Sequence, residues 1–354
     1  MSKPDHNTLK QSHMPFKHGA SILPSVKIDS YNLRIRDKDG FIGDKANKAA
    51  FLEKVDYWRK QVDSHAAAKR LKMKDISKTD IDKILGGDDK LAQAIIWLAI
   101  HDFATDLSDV INRFLKEKKW EKTERIAVGG GLSESAAGQF AIAEAMVRLN
   151  SLGKKIELRP IEHLPDEAGL IGAVHLVPAW VLKGHDAMVG VDIGGTNIRA
   201  GIITWETRKK SPDISNAKVW KMDLWRHGEE DPSRGKALKR LIKMIKVLLE
   251  SAEKEKIIVA PIVGIACPGL IESDGSIAAG GQNLPGNWEG ESFNLAREIA
   301  SSIPEIQGKD TFVVIHNDAV VQGLSQIPSM KDVRHWGILT IGTGLGNAKF
   351  THNP

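Results

Sequence analysis

The segment VDIGGTNIRAG has the residue types of a phosphate-binding turn. An apolar strand ends in Asp192, and Gly194, Gly195, Thr196 and Asn197 form a tight turn before a second apolar strand. Glycines in such a turn permit a positive φ and a close approach of backbone N–H groups to a ligand. The Thr196 hydroxyl can donate to a phosphate oxygen, and Asp192 can hold water bound to Mg²⁺. An ordinary glycine hairpin is the alternative interpretation.

A second glycine turn, TIGTGLG, follows another apolar strand near the end of the sequence. Gly342, Gly344 and Gly346 alternate with other residues, and Thr343 lies between the first two glycines. The spacing differs from the dinucleotide motif GxGxxG, and the residues that follow have a strand pattern rather than a helix pattern. A second turn of this kind, in the same strand–turn–strand context, favours phosphate binding over two unrelated hairpins.

An acidic residue closes the apolar strand Phe312–His316 in the segment HNDAV. Asp318, next to Asn317, would stand at the carboxyl end of this strand, which is where α/β proteins place ligands. Such a carboxylate can take the proton from a hydroxyl as it attacks a phosphoryl group. The alternative is that Asp318 only caps the following helix.

A Gly/Pro-rich loop, Pro268–Trp288, supplies amides and an aromatic ring. Gln282, Asn283 and Trp288 are suited to polyhydroxy compounds, through hydrogen bonds and an aromatic face. Loop composition by itself predicts only a loop.

Strands and helices alternate around these segments, which predicts an α/β fold. Apolar residues from Ile96 to Phe114 recur at steps of four and three, so a helix should begin at the cluster Gly86–Asp89. Strands are expected at Arg125–Val128 and Ile258–Ala266, and a strand pair at Met188–Thr204. With 354 residues, the chain has the length of two lobes.

Composition excludes several classes of protein. The chain is 42% hydrophobic and 27% charged, with a net charge of +5 and a single cysteine, Cys267. These values exclude a disordered chain, a collagen and a disulfide scaffold, and the lone cysteine favours a reducing cytoplasm. The apolar run Ala94–Ile100 is too short to span a membrane, and the start MSKPDHNTLK lacks a signal-peptide core. The basic residues are dispersed, as on solvated helix faces, so no nucleic-acid partner is expected.

Taken together and in this order, the segments resemble the ROK family of sugar kinases and regulators, which has the two-lobed actin-like ATPase (ribonuclease H-like) fold. The matching strings are DIGGTNIRAG, GIACPG with QNLPGNW, HNDA and TIGTGLG. The resemblance implies that Asp192–Thr196 bind phosphate and metal, and that Gly342–Gly346 bind nucleotide phosphates. It also implies that Asn283 and Asn317 contact the sugar and that Asp318 is the catalytic aspartate.

The order of the motifs departs from that family, in which the chain begins near the DxGGT strand. Here 187 residues precede that strand, and they resemble the missing part. ERIAVGGGLSES resembles the strand and turn near the adenosine, with Gly129, Gly130 and Gly131, and DEAGLIGAVHLV resembles the closing helix. The chain therefore resembles a circularly permuted member. Residues 1–165 would be the larger part of the second lobe, 166–187 the closing helix and linker, 188–319 the first lobe, and 320–354 the rest of the second lobe. An unrelated N-terminal domain before a truncated kinase is the alternative.

Two other family features are absent. The zinc cluster CxCGxxGCxE is missing, so no structural zinc is expected. The sugar-binding motif ExGH is also missing; His18 in FKHGA is the nearest candidate, and a plain loop histidine is its alternative.

The resemblance implies ATP-dependent, Mg²⁺-assisted phosphorylation of a hydroxyl of a hexose such as glucose, or of a related polyol. The small-molecule sugar is the expected partner, and homodimers are common in the family. Two alternatives remain, namely a sugar-sensing protein without catalysis and a sugar kinase that uses polyphosphate as its donor.

Overall fold

The computed structural model describes residues 16–62, 71, 76–208, 211–289 and 293–353. This part of the chain forms two compact units. The first unit contains residues 16–28, 166–329 and 352–353, and the second contains residues of the ranges 29–165 and 330–351. Each unit contains one five-stranded sheet.

The strands, in chain order, are β1 (Val26–Tyr31), β2 (Arg36–Asp37), β3 (Gly40–Phe41), β4 (Arg125–Gly129), β5 (Glu157–Pro160), β6 (Ala187–Ile193), β7 (Ile198–Arg208), β8 (Ser211–Trp225), β9 (Val259–Cys267), β10 (Leu270–Ile271), β11 (Ile277–Ala279), β12 (Glu305–Ile306), β13 (Lys309–Asp310), β14 (Phe312–Asn317), β15 (His335–Ile341) and β16 (Leu345–His352). The α-helices are α1 (Lys48–Lys60), α2 (Lys78–Leu85), α3 (Lys90–Phe114), α4 (Ala136–Ser151), α5 (Pro165–Gly172), α6 (Arg234–Lys254), α7 (Leu295–Ser302) and α8 (Asp318–Leu324).

The first unit is built on the sheet β14-β9-β6-β7-β8. Strands β14, β9 and β6 run parallel, and β7 and β8 continue the sheet antiparallel. In register, Asp192 on β6 lies opposite Ala266 on β9, which lies opposite His316 on β14. The carboxyl ends of the three parallel strands therefore meet at one edge, where α/β sheets bind ligands.

Helix α5 packs against this sheet through glycines. A Cβ on Gly172 would lie 1.7 Å from the carbonyl oxygen of Val321 in α8, and one on Gly190 would lie 2.9 Å from the carbonyl oxygen of Leu170. Side chains at these positions would force the elements apart, so AGLIGA is needed for contact between α5, β6 and α8. Helix α6 covers the sheet with one apolar face, from Ala237 to Ala252, and Ser233 caps it.

The second unit is built on the sheet β1-β16-β15-β4-β5. Strands β15, β4 and β5 are parallel, and β15 and β16 form an antiparallel hairpin. Helix α3 begins after Asp89, whose side chain accepts a hydrogen bond from the backbone N–H of Ala92. The predicted helix start is thereby confirmed. The apolar face of α3, including Phe103 and Leu107, lies in the core of this unit.

The mixed α/β class is confirmed, but the unit boundaries differ from the expected lobes. Residues up to Ser329 belong to the first unit, because α8 packs on β9 and on the 3-10 segment Ala173–Leu176. Residues 16–28 also belong there, since the N–H of Gly19 donates to the carbonyl of Ile315 on β14. Within residues 16–353 as described, no helix is long and apolar enough to cross a bilayer.

A segment near the start of the described residues lies beside the segment at their end. Strand β1 is the sheet neighbour of β16. The N–H of Asn353 donates to the carbonyl of Ser25, and its side-chain amide donates to the carbonyl of Leu23.

Candidate active site

Asp192 is the penultimate residue of β6, and its carboxylate is buried and held from two sides. Its Oδ2 lies 3.3 Å from Nη1 of Arg199, which also binds Asp166 through Nε at 2.8 Å and Nη2 at 2.6 Å. Burial raises the pKa of Asp192, and the Arg199 guanidinium opposes that rise. On the other side, a Cβ on Gly169 of α5 would lie only 2.6 Å from the Asp192 carboxyl carbon. The carboxylate is therefore packed closely between Arg199 and α5.

The turn after Asp192 is closed by its own backbone. The N–H of Gly194 donates to the carbonyl of Asn197 at 2.8 Å. Glycine permits a positive φ in such a turn, but neither Gly194 nor Gly195 has one. The requirement for glycine at 195 is close approach, since a Cβ there would lie 3.1 Å from Cβ of Asn283. The turn thus lies directly against the NLPG loop.

Sequence reasoning missed two residues that contact this turn, His227 and Gly228. The Nε2 atom of His227 lies 2.9 Å from the carbonyl oxygen of Gly194, and the N–H of Gly228 donates to the carbonyl of Thr196 at 3.0 Å. Both follow β8 in the segment WRHGEE, which has no motif that points to phosphate. Only the pairing of β7 with β8 brings this segment to the turn.

Asp318 is the first residue of α8, directly after β14. Its Oδ1 accepts a hydrogen bond from the N–H of Ala319 at 2.8 Å. Burial, and after it the negative charge of Asp192, raise the pKa of Asp318 to about 6. A carboxyl with this pKa is ionised at neutral pH and is a stronger base than an ordinary aspartate.

Asn317, not Asp318, is the N-cap of α8. Its Oδ1 accepts from the N–H of Val320 at 3.2 Å, and its Nδ2 donates to the carbonyl of Gly269 at 3.0 Å. Both ends of this buried amide are therefore held by the backbone. The capping interpretation of the ND pair thus applies to Asn317, and the Asp318 carboxylate is not the cap.

The loop residues differ from one another in exposure. Gln282 and Asn283 are exposed, as a substrate-binding amide requires. Trp288 is fully buried, its Nε1 donates to the carbonyl of Pro285 at 2.6 Å, and its ring packs edge-on against Phe293. The expectation that Trp288 offers an aromatic face to a ligand is therefore wrong, because the ring anchors its own loop in the core.

His18 lies beside β14. Its Nδ1 accepts from the N–H of Ile315 at 3.3 Å, and its ring lies about 3 Å from where a Cβ on Gly275 would be. Burial lowers the pKa of His18 to about 4, with Asp274 and Arg297 as the nearby charges. The imidazole is therefore neutral at pH 7, and Nδ1 is already occupied as an acceptor.

In the second unit the two remaining glycine turns are neighbours. Thr340 on β15 lies opposite Gly129 on β4, so the turns that follow these parallel strands share one sheet edge. The Gly342–Gly346 turn is closed by a bond from the N–H of Gly342 to the carbonyl of Gly344, and Gly342, Thr343 and Gly344 are exposed.

The glycines at 129 and 130 have an internal role. Gly130 has φ +94°, and a Cβ on it would lie 2.1 Å from the carbonyl oxygen of Ile341. A Cβ on Gly129 would meet the side chain of Ile161 at 3.2 Å. Of the three, only Gly131 faces open space, so it alone leaves room for a ligand.

The residues of the first unit suit Mg²⁺ held together with phosphates. Among the described residues no three His, Cys, Asp or Glu side chains are grouped to hold a metal ion by themselves. Mg²⁺ commonly uses only one or two carboxylates, with waters and substrate phosphates as the other ligands. Asp192, fixed beside a glycine turn, provides such a carboxylate.

Comparisons with known proteins give a partial match to a sugar kinase. No family model matches the sequence. The chain is 28% identical over 165 residues to glucokinase of Thermotoga maritima, and the match covers 47% of this chain and 44% of that protein. The chain thus spans less than half the length of the curated relative that it matches.

Solved structures include a ROK hexokinase from Thermus thermophilus, with 20% identity, TM-score 0.29, and coverage of 46% of this chain and 45% of that one. A Ppx/GppA phosphatase from Aquifex aeolicus has 14% identity, TM-score 0.27, and coverage of 70% and 88%. These TM-scores are too low to carry an argument about the fold. The finding that bears on this chain is its similarity to a glucokinase over about half its length.

Proposed function

We propose that this protein is a carbohydrate kinase of the ROK type, which transfers the terminal phosphoryl group of ATP to a hydroxyl of a hexose or related polyol. The observation that carries the proposal is the position of Asp318. It is a carboxylate with a pKa raised to about 6, at the same sheet edge as the Asp192–Asn197 turn. The partial similarity to a glucokinase supports the same reaction class.

Asp318 acts as the general base. Asp192 is in register with His316, two residues before Asp318, and β9 alone separates the two strands, so the strand ends that carry the two carboxylates lie roughly 10 Å apart. That distance leaves room for an acceptor hydroxyl at Asp318 and a phosphoryl group at the turn. The carboxylate accepts the hydroxyl proton as the oxygen attacks phosphorus.

The turn holds the phosphates of the donor. Within the described chain the N–H groups of Gly195 and Thr196 donate to no other residue, and the Thr196 side chain is also without a partner. Three donors grouped on one turn suit a phosphate. Asp192 would hold Mg²⁺ through a water molecule, and the metal would neutralise the charge that develops on the phosphoryl oxygens.

The remaining site residues have narrower roles in this proposal. Gln282 and Asn283 are exposed and would bind sugar hydroxyls, whereas Asn317 and His18 would fix the strand end through their backbone bonds. By the same family resemblance, Gly342–Gly346 would bind nucleotide phosphates, and Gly131 would leave room for the adenosine.

The test is an ADP-release assay with ATP and a panel of hexoses, amino sugars and polyols. A parallel arm uses polyphosphate as donor, with sugar phosphate as its readout. Turnover with at least one sugar supports the proposal. Asp318→Asn should lower that turnover by at least about 100-fold. Sugar binding without turnover, by calorimetry, would contradict it and identify a sugar-sensing protein instead.

We also propose that the chain is a circular permutation of the ROK order. Two observations support this: strand β1, near the start of the described residues, lies beside β16, near their end, and α5 leads directly into β6 through the short segment 173–186. Adjacent ends and an exposed connection are what a permutation requires.

The test joins Pro354 to Met1 and opens the chain at Gly184, which is exposed and has φ +83°. We expect a protein with the circular dichroism spectrum and sugar specificity of the parent. The matched control opens the chain at Gly190 in the buried strand β6 and should not fold. A Gly184 opening that behaves like the Gly190 opening would contradict the proposal.

A further inference from the structure

A histidine and a glycine after β8 hold the carbonyl side of the Gly194–Asn197 turn. His227 is 3% exposed, and its Nε2 lies 2.9 Å from the carbonyl oxygen of Gly194. A carbonyl oxygen only accepts, so Nε2 carries the proton in this contact. The adjacent N–H of Gly228 donates to the carbonyl of Thr196.

These two bonds determine where the N–H groups of the turn point. In a trans peptide the C=O and the following N–H are coplanar and point in opposite directions, and the described chain has no cis peptide bond. Because His227 binds the oxygen of the Gly194–Gly195 peptide, the Gly195 N–H points away from His227. This N–H donates to no described residue. The carbonyls of Gly194 and Thr196 are therefore bound by protein, and the N–H of Gly195 is free for an acceptor.

His227 is itself held by the sheet. Its ring packs on Trp225, the last residue of β8, with ring centroids 5.7 Å apart. The Nε1 of Trp225 donates to Glu230 at 2.8 Å. A donor fixed in this way holds the peptide plane without help from a ligand, which is the condition for preorganised binding.

We propose that His227 is a positioning residue for the phosphoryl donor. Its Nε2–H fixes the Gly194–Gly195 peptide so that the Gly195 N–H donates to a phosphate oxygen. The inference rests on the proposed function and assigns to it a residue outside every motif of the sequence. Without this bond the peptide plane is free to rotate, and the charge-assisted hydrogen bond from Gly195 is lost.

The first test compares His227→Leu with His227→Gln. Leucine removes the donor, whereas the glutamine side-chain amide presents an N–H at a reach similar to that of Nε2. We expect His227→Leu to raise the KM for ATP by about 10- to 100-fold, the loss of one hydrogen bond to a charged group. The KM for the sugar should change less than twofold, and His227→Gln should recover most of the affinity for ATP. Equal effects on both substrates, or a glutamine variant as impaired as the leucine variant, would overturn the proposal.

A second measurement does not depend on turnover. In protein labelled with ¹⁵N-glycine, inorganic pyrophosphate should shift the Gly195 amide resonance of the wild type and of His227→Gln, but not of His227→Leu. Gly195→Ala assigns the resonance. If the wild type phosphorylates no sugar, the proposed function fails, and this titration still decides the role of His227. No shift in the wild type would overturn the inference.

A further variant covers the case in which His227→Leu does not fold. In Gly228→Ala the new Cβ would lie 3.2 Å from Cα of Thr196 and would press on the same side of the turn. We expect the same selective rise in the KM for ATP. An unchanged KM in a folded Gly228→Ala protein would count against the proposal.

Discussion

The substitution Asp318→Asn should make the protein more stable and less active at the same time. Asparagine keeps the size of the side chain and the oxygen that accepts from the N–H of Ala319. It replaces the second carboxylate oxygen by an NH2 group and removes the charge, which the site disfavours because the carboxyl is buried and near Asp192.

The magnitude follows from the pKa of Asp318. Its rise from 3.8 to about 6 corresponds to about 3 kcal/mol, at about 1.36 kcal/mol for each pH unit. The native state keeps this proton to a higher pH than the unfolded state, so the group lowers the free energy of unfolding as the pH rises from about 4 to 6. Above about pH 6 the ionised carboxylate lowers the free energy of unfolding by this full amount. Asp318→Asn should therefore gain up to about 3 kcal/mol at pH 7 and nothing below about pH 4.

The assay is urea denaturation of the wild type and Asp318→Asn between pH 4 and pH 7.5, together with sugar turnover at pH 7.5. The matched control is Asp274→Asn in the same unit, where hydrogen bonds from Ser276 lower the pKa of the carboxyl. Relative to the wild type, Asp274→Asn should become less stable as the pH rises, whereas Asp318→Asn should become more stable. If Asp318→Asn is no more stable than the wild type at pH 7, burial does not disfavour the charge of Asp318 as described. If its turnover is unchanged, the assignment of the base fails.

Three further predictions concern the same unit. The kcat/KM of the wild type should fall below about pH 6, as Asp318 takes up a proton, and a flat profile from pH 5 to 8 would exclude this residue as the base. Gly169→Ala should lower both stability and turnover, because its Cβ would lie 2.6 Å from the carboxyl carbon of Asp192. The control Gly235→Ala has open space around the new Cβ and should gain up to about 1 kcal/mol in the free energy of unfolding. Equal effects of the two variants in thermal denaturation would show that the contact between Gly169 and Asp192 is not tight. Trp288→Ala should lower the free energy of unfolding, measured by urea denaturation, by about 3–5 kcal/mol, because the ring is fully buried. A stable Trp288→Ala variant with only a raised KM for the sugar would instead support a ligand-binding role for the ring.

Several elements were predictable because their signals are local. The strand pair around Asp192 is confirmed as β6 and β7, and the helix start at Asp89 is confirmed by its cap. Apolar periodicity and turn residues lie next to each other in the chain, so a sequence displays them directly. The permuted motif order and the site roles stay predictions that the proposed experiments test.

The roles that depend on distant contacts were not predictable. A loop tryptophan such as Trp288 has the same appearance in a sequence whether it faces a ligand or the core. The segment with Gly129 and Gly130 resembles a turn near the adenosine, and only the packing shows that these two glycines make room for Ile161 and for the Ile341 carbonyl.

The α/β class, the glycine turns and the acidic strand end follow from local sequence, because each depends on residues within one strand or turn. The tertiary structure decided which groups meet there: Arg199 and Gly169 around Asp192, and His227 behind the Gly194–Asn197 turn. It also decided the raised pKa of Asp318, since burial and a second carboxylate come from strands far apart in the chain. Local pattern thus set where chemistry could occur, and long-range packing set the charge and the direction of the groups that would perform it.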